Sequence, residues 1–264
     1  MRRGLARSRG EARDLVTSGQ VTVGGSPATK PAQQVGPDDE VVVTSTGPRW
    51  VGRAAHKLVA ALDDWGPQGL AVTGRRCVDV GASTGGFSQV LLAHGAAVVV
   101  AVDVGHGQLV PEVAADPRVV ERSGTTVRGL TADDLGGPAD LVVADLSFIS
   151  LTLVMGDLAG LLGADADLIV LVKPQFEVGR GRLNGQGVVT DPEDRTRALK
   201  QVVAAVGEHG LHVHGIRTSP ISGASGNTEY LVWARSVPSD TMSEDRVRDA
   251  VREATTQAAS GGRR

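Results

Sequence analysis

Cysteine is almost missing from this chain: Cys77 is the only one in 264 residues, so no disulfide can form within it. That residue stands in an apolar run ahead of a glycine-rich turn and reads as a buried filler. No run of 18 apolar residues occurs, which argues against a membrane-spanning helix. The Arg2–Arg3 pair is followed by charged, glycine-containing sequence and not by the apolar core of a signal peptide. Together these absences point to the cytoplasm. Aromatic residues are only 3% of the chain, and nothing about function follows from their scarcity. Net charge is small too, at −3, which argues against nonspecific coating of nucleic acid by the chain as a whole. Metal-ligand spacing is also lacking: His212 and His214 share a strand face without partners and are expected at the surface, so no metal is expected. The pattern G-x-x-x-x-G-K-[ST] is absent, which makes a nucleoside triphosphatase a poor reading.

What is present is enough apolar material, 41%, to bury a full core in one larger domain with a small appendage. Its charge is unevenly spread, since residues 1–30 hold six basic residues against two acidic ones. The richest signal is RCVDVGASTGGF, residues 76–87, an apolar strand running through glycines into a helix. Gly81, Gly85 and Gly86 let backbone turn sharply and approach a ligand, and the new helix offers unpaired N–H groups. Asp103 closes the next apolar strand 22 residues after Gly81, where a carboxylate can accept both hydroxyls of an adenosine ribose. The spacing G-x-x-x-G-G, preceded by Asp79, is not the G-x-G-x-x-G of dinucleotide enzymes and favours S-adenosylmethionine over NAD. Asp79, Gly81, Ala82, Ser83, Gly85, Gly86 and Phe87 are expected around the methionine part, with Asp103 on the ribose.

Elements alternate regularly beyond the first fifty residues. Helices are expected over 54–65, 87–94, 151–162 and 194–208. Strands are expected over 77–80, 98–103, 118–121, 140–145 and 168–172, and then over 211–217 and 229–234 as an antiparallel edge pair joined by SPISGASGN. This is an α/β order, a Rossmann-like sheet of the class I methyltransferase kind. Residues 1–46 read as a small α+β module, 47–52 as a linker, 53–254 as the main domain and 255–264 as a frayed tail. Trp50, in the linker, is expected to pack between the domains.

Charges placed directly after buried strands are the first candidates for chemistry, because ligands of open parallel sheets lie beyond the carboxyl ends of the strands. Asp145 ends LVVAD and Lys173 follows LIVLV; Lys57 in GRAAHKL and Glu229 in NTEYLVW can join them. Any one of these alone reads more simply as a solvated or structural charge.

The stretch RRGLARSRGEARDLVTSGQVTVGGSPATKP with VGPDDEVVV resembles an S4 RNA-binding domain. The resemblance implies that Arg7, Arg9, Arg13 and Lys30 contact RNA phosphates. Such modules usually begin with a further helix ahead of RRGLA. Met1 stands immediately upstream of that segment, so either a misassigned start codon or a shortened module is expected. The ordered motifs GRAAHKL, DVGASTGGF, ADLSFIS, LVKPQFE and SGNTEYLVW are similar to those of the TlyA branch of FtsJ-like ribose 2'-O-methyltransferases. That resemblance implies a catalytic tetrad of Lys57, Asp145, Lys173 and Glu229, and S-adenosylmethionine as cofactor. It also implies cytidine targets in 16S and 23S ribosomal RNA, with ribosomal subunits as partners. Lys173 is the expected base, and a second ammonium in a dry crevice would favour its neutral form. Base C5 methylation needs a cysteine in the crevice, and Cys77 lies on the wrong side of the glycine loop. The N-P-P-[YF] motif of exocyclic-amine methylation is absent where Asp145-Leu-Ser-Phe148 stands. The rival readings are a haemolysin-like membrane protein and a noncatalytic RNA-binding protein on the same fold.

Overall fold

The computed structural model describes residues 3–6, 9–17, 19–44, 49–238 and 241–260, in two compact units, Met1–Arg53 and Ala54–Arg264. In the first unit, helix α1 (Arg9–Thr17) precedes strands β1 (Val21–Val23), β2 (Ser26–Pro27) and β3 (Val41–Val43). They form an antiparallel sheet of order β2-β1-β3. Gly24 and Gly25 make the two-residue β1–β2 turn, both with positive φ (56° and 79°), the backbone twist that a tight hairpin needs. The Arg3 guanidinium donates to the carbonyls of Gly36 (2.7 Å), Pro37 (2.8 Å) and Asp39, tying the start of the unit to the turn before β3. Between α1 and the sheet an apolar cleft of about 680 Å³ stays open, lined by Leu15, Val16, Val21, Val23, Val41 and Val43. So short a segment cannot fill its own core.

The second unit is built on a seven-stranded sheet of order β6-β5-β4-β7-β8-β10-β9. Its strands are β4 (Arg76–Val80), β5 (Val98–Asp103), β6 (Val119–Ser123), β7 (Ala139–Ala144), β8 (Leu162–Val172), β9 (His212–Thr218) and β10 (Tyr230–Arg235). The five from β6 to β8 run parallel, and β10 inserts antiparallel between β8 and β9. The inner parallel strands read as mostly apolar runs because both faces are covered, whereas the edge strand β6 (VVERS) is largely exposed. Val78, Val100, Val142, Leu168 and Val170 are all fully buried in one core. Chain order reverses between β4 and β7, which opens a crevice beyond their carboxyl ends.

The covering helices are α2 (Ala55–Trp65), α3 (Gly86–Ala93), α4 (Pro111–Ala114), α5 (Met155–Gly160), α6 (Pro174–Glu177), α7 (Pro192–Glu208) and α8 (Glu244–Ser260). In α2, Ala55, Leu58, Leu62 and Trp65 form a buried stripe at helical spacing. The Asp191 side chain caps α7 by accepting from Glu193 N at 2.8 Å.

Two expectations are corrected. The tail from Thr255 is not frayed through residue 260, since α8 runs to Ser260 and Thr255 is buried. Val251 and Ala254 turn inward, Thr218 Oγ1 on β9 donates to Ala254 O (2.7 Å), and Thr196 on α7 meets the Thr255 hydroxyl (3.2 Å). A helix with so few apolar positions is held by its neighbours, which sequence periodicity cannot reveal. His214 is not a surface residue. It is 9% exposed and its ring lies 5.1 Å from that of Trp233, whose other neighbour is Trp65 at 5.8 Å. Cover from α2 over β9 and β10 buries it.

Candidate active site

Four charged side chains meet at the carboxyl end of the sheet, each delivered by a different element. Lys57 comes from the first turn of α2, Asp145 follows β7, Lys173 follows β8 and Glu229 precedes β10. Lys57 Nζ donates to Glu229 Oε2 at 2.6 Å and lies 3.6 Å from Asp145 Oδ2. Lys173 Nζ lies 2.6 Å from Asp145 Oδ1. The result is an alternating chain, Glu229–Lys57–Asp145–Lys173, in which Asp145 holds both lysines. All four side chains are at most 14% exposed. Charges this buried persist only when paired, and here each cation has a carboxylate.

Residues that sequence reasoning missed complete the wall. Ser147, exposed beside Asp145, accepts from Lys173 Nζ at 2.9 Å. Glu177, four residues after Lys173, accepts from Ser150 Oγ and, at 2.9 Å, from Leu151 N; burial pushes its carboxyl up, against the pull of those two hydrogen bonds. Phe148 is 91% exposed, sits at φ 65° and lays its ring 5.3 Å from Phe176. A bulky residue in the left-handed region costs energy, so the loop that carries it is held by its surroundings. Gly223 makes room for Glu229: a Cβ there would stand 2.5 Å from Oε1. Asn227, 2% exposed, joins that loop to the preceding one by accepting from Val189 N and donating to Gly187 O, both at 2.9 Å. The signal for these was available in ADLSF and SGASGN, but a serine or an asparagine in a loop has many cheaper explanations.

The glycine loop lies next to this cluster. Asp145 N donates to Val80 O at 3.1 Å, so β7 runs directly alongside the turn after β4. Gly81 has φ 87°, and a Cβ on it would stand 2.6 Å from the Asp145 carbonyl oxygen. Gly85, at φ 94°, leaves 2.9 Å between such a Cβ and Val113. Ser83 takes φ 48° and its N–H donates to Asp103 Oδ2 at 2.8 Å. The other Asp103 oxygen accepts from Gly105 N (2.7 Å) and Gln108 Nε2 (3.2 Å). Of the eight residues expected here, Gly81, Ser83 and Asp103 reach the surface, whereas Asp79, Ala82, Gly85, Gly86 and Phe87 are buried. Phe87 packs in the core, which leaves only its backbone for a ligand. Asp79 accepts from Ser88 Oγ at 2.6 Å, and its second oxygen is buried without a partner. Burial raises the Asp79 carboxyl to about 7, against the Ser88 hydrogen bond and aided by the Asp145 charge. Cys77 is fully buried and its thiol is pushed up to about 12, chiefly by burial, consistent with an inert filler.

Replacing Gly81 with alanine should disturb both halves of the crevice, because the new methyl meets backbone and cannot be relieved by a rotamer change. The expected outcome is a loss of about 2–3 kcal/mol in denaturant stability together with weakened cofactor binding. Chemical denaturation and calorimetric titration on the same variant check both.

Residues 50–236 match the FtsJ-like methyltransferase family, and residues 2–41 match the S4 domain. The chain belongs to the FtsJ-like methyltransferase family. This methyltransferase is 50% identical over 258 residues to the 16S/23S rRNA (cytidine-2'-O)-methyltransferase TlyA of Mycobacterium tuberculosis, covering 97% of this chain and 95% of that one. It is 34% identical to Hemolysin A of Brachyspira hyodysenteriae, over 86% of this chain and 94% of that protein. A solved structure from Streptococcus thermophilus, named as a hemolysin, superposes with a TM-score of 0.76 at 33% identity, covering 98% of this chain and 93% of the other.

In the S4 unit of the methyltransferase, Arg9 and Arg13 on α1 are exposed, as is Lys30. Arg7 lies outside the described residues. Among the described residues no group of His, Cys, Asp and Glu is arranged to hold a metal ion, and no helix is long and apolar enough to cross a membrane.

Proposed function

We propose that this chain methylates the 2'-hydroxyl of cytidine ribose in 16S and 23S ribosomal RNA, using S-adenosylmethionine, in the cytoplasm. The observation that carries the reading is the buried chain Glu229–Lys57–Asp145–Lys173 beside the glycine turn that follows β4. The activity named for the Mycobacterium tuberculosis relative agrees with it.

The residues present fit the cofactor. Gly81 lets the turn after β4 press against the Asp145 backbone and Gly85 lets α3 start against Val113, Asp103 stands at the strand end as an acceptor for ribose hydroxyls, and the Asp79 carboxyl lies beneath the loop with one oxygen unpartnered. When bound, the cofactor supplies an electrophilic methyl group on a positively charged sulfur. Lys173, in its neutral form, takes the proton of the 2'-hydroxyl. Asp145 orients Lys173, and the Lys57–Glu229 pair holds Asp145 in place. Phe148, exposed at the rim, offers a ring on which an unstacked base can rest. Arg7, Arg9, Arg13 and Lys30 add phosphate contacts from the S4 unit.

The test is transfer of label from S-adenosylmethionine to purified 30S and 50S subunits, with mapping of 2'-O-methyl nucleotides. Label on cytidine ribose is expected. Cofactor binding without label on any ribose would instead favour a noncatalytic RNA-binding protein on this fold.

A further inference from the structure

We propose that Ser147 is a positioning residue for the reaction: together with Asp145 it fixes the direction in which the Lys173 amine presents its lone pair to the ribose hydroxyl. This rests on Lys173 acting as the base. Lys173 Nζ contacts Asp145 Oδ1 at 2.6 Å and donates to Ser147 Oγ at 2.9 Å. A lysine ammonium has three N–H bonds in tetrahedral directions, and the neutral amine has two plus a lone pair. Asp145 Oδ1 holds the nitrogen by charge at 2.6 Å without accepting a well-aligned hydrogen bond, so the hydrogen bond that orients the amine is the one donated to Ser147 Oγ. With one N–H on the Ser147 oxygen and the Asp145 charge drawing the other to its side, the remaining direction is left for the lone pair. Without Ser147 the amine turns about its Cε–Nζ bond, and the lone pair is shared among wells that do not face the substrate.

The serine is also placed where this choice matters. Lys173 is 8% exposed while Ser147 is exposed, so Ser147 stands on the open side of the base, where a substrate arrives. Its loop is tied to the segment after Lys173 by the Phe148–Phe176 ring contact and by Glu177, which accepts from Ser150 Oγ and Leu151 N. Serine and lysine are therefore carried by one braced unit, the condition for a preorganised hydrogen bond. In the transfer, the 2'-oxygen forms a bond to the methyl carbon as the bond from that carbon to sulfur breaks. Sulfur keeps the electron pair and becomes a neutral thioether. The hydroxyl proton passes to Lys173, whose new N–H occupies the third direction while Asp145 and Ser147 keep the other two.

Single-turnover methyl transfer to ribosomal subunits at saturating S-adenosylmethionine, measured for Ser147→Ala and Ser147→Thr in the full chain, tests this. Ser147→Ala should slow the step about tenfold, with affinity for S-adenosylhomocysteine and thermal midpoint unchanged, and Ser147→Thr, which keeps the hydroxyl, should restore the rate. An unchanged rate in Ser147→Ala, or a Thr variant as slow as the Ala variant, overturns the proposal. A slow Ala variant that has also lost cofactor binding or stability overturns it as well, because the serine would then be structural. Lys173→Ala, run in parallel, separates the two layers: a wild-type rate there removes the base itself, and the positioning role with it.

Discussion

Lys173→Met should lower the single-turnover rate of methyl transfer by about a thousandfold, the usual scale for removing a general base, while leaving cofactor affinity within about twofold. Methionine keeps the length and apolar stem of lysine, so the floor of the crevice stays filled. Asp145 is not stranded by the change, because Lys57 remains 3.6 Å from its other oxygen. The contrast with Lys57→Met sharpens the test. Lys57 stands between Glu229 at 2.6 Å and Asp145 at 3.6 Å, and Glu229 is 2% exposed. Its loss leaves a buried carboxylate unpaired, for which a destabilisation of about 3–5 kcal/mol is expected. Thus Lys173→Met should be a folded, cofactor-binding protein without activity, whereas Lys57→Met should lose activity and stability together. Rapid-quench methyl transfer, calorimetric titration with S-adenosylhomocysteine and denaturant melts distinguish them. A Lys173→Met protein with rates near wild type would sink the assignment of the base.

Asp79→Asn should stabilise the protein at pH 8 by a few kcal/mol, roughly 1.4 kcal/mol for each unit by which burial has raised the carboxyl. The carboxyl rises from an ordinary value near 3.8 to about 7 in the folded state, so the native protein holds this proton more tightly than the unfolded chain does. Native stability therefore falls as pH climbs from about 4 to about 7 and is level beyond, where both states have lost the proton. An asparagine amide resembles the protonated acid, still offers an oxygen to Ser88, and does not titrate. Denaturant melts at pH 5, 6, 7 and 8 should give a difference between variant and wild type that grows with pH and then stops. A constant difference would mean that Asp79 is ionised throughout. The same carboxylate has an oxygen without a partner, so a cationic ligand nearby would favour its ionised form. Cofactor affinity of the wild type should accordingly rise through neutral pH, and Asp79→Asn should lose that dependence.

Much of the site was visible in the sequence because parallel sheets put ligand-facing residues at one kind of place. Asp145 and Lys173 could be read as charges directly after apolar strands, and Gly81 with Asp103 as a turn and an acceptor on neighbouring strands. Their pairing was out of reach. That Asp145 rather than Glu229 bridges the two lysines depends on β7 lying next to β8, and on β10 entering the sheet from its other side. Ser147, Asn227 and Glu177 were missed for a related reason. Each is a common polar residue in or beside a loop, and it stands out only through the one or two atoms it meets on another segment. Helix α8 escaped notice because its inward residues, Val251 and Ala254, are sparse among charges.

By itself the sequence determined the alternation of strands and helices, the glycine loop, and which charges stand at strand ends, since all of these follow from local periodicity and from the conformations that glycine allows. Only the tertiary structure decided which carboxylate holds which lysine, that Ser147 meets Lys173, that His214 is buried behind Trp233, and that Asp79 lies sealed under Ser88. Such facts depend on distances between residues far apart in the chain, where a shift of an ångström makes or removes a hydrogen bond, and no spacing along one strand encodes them.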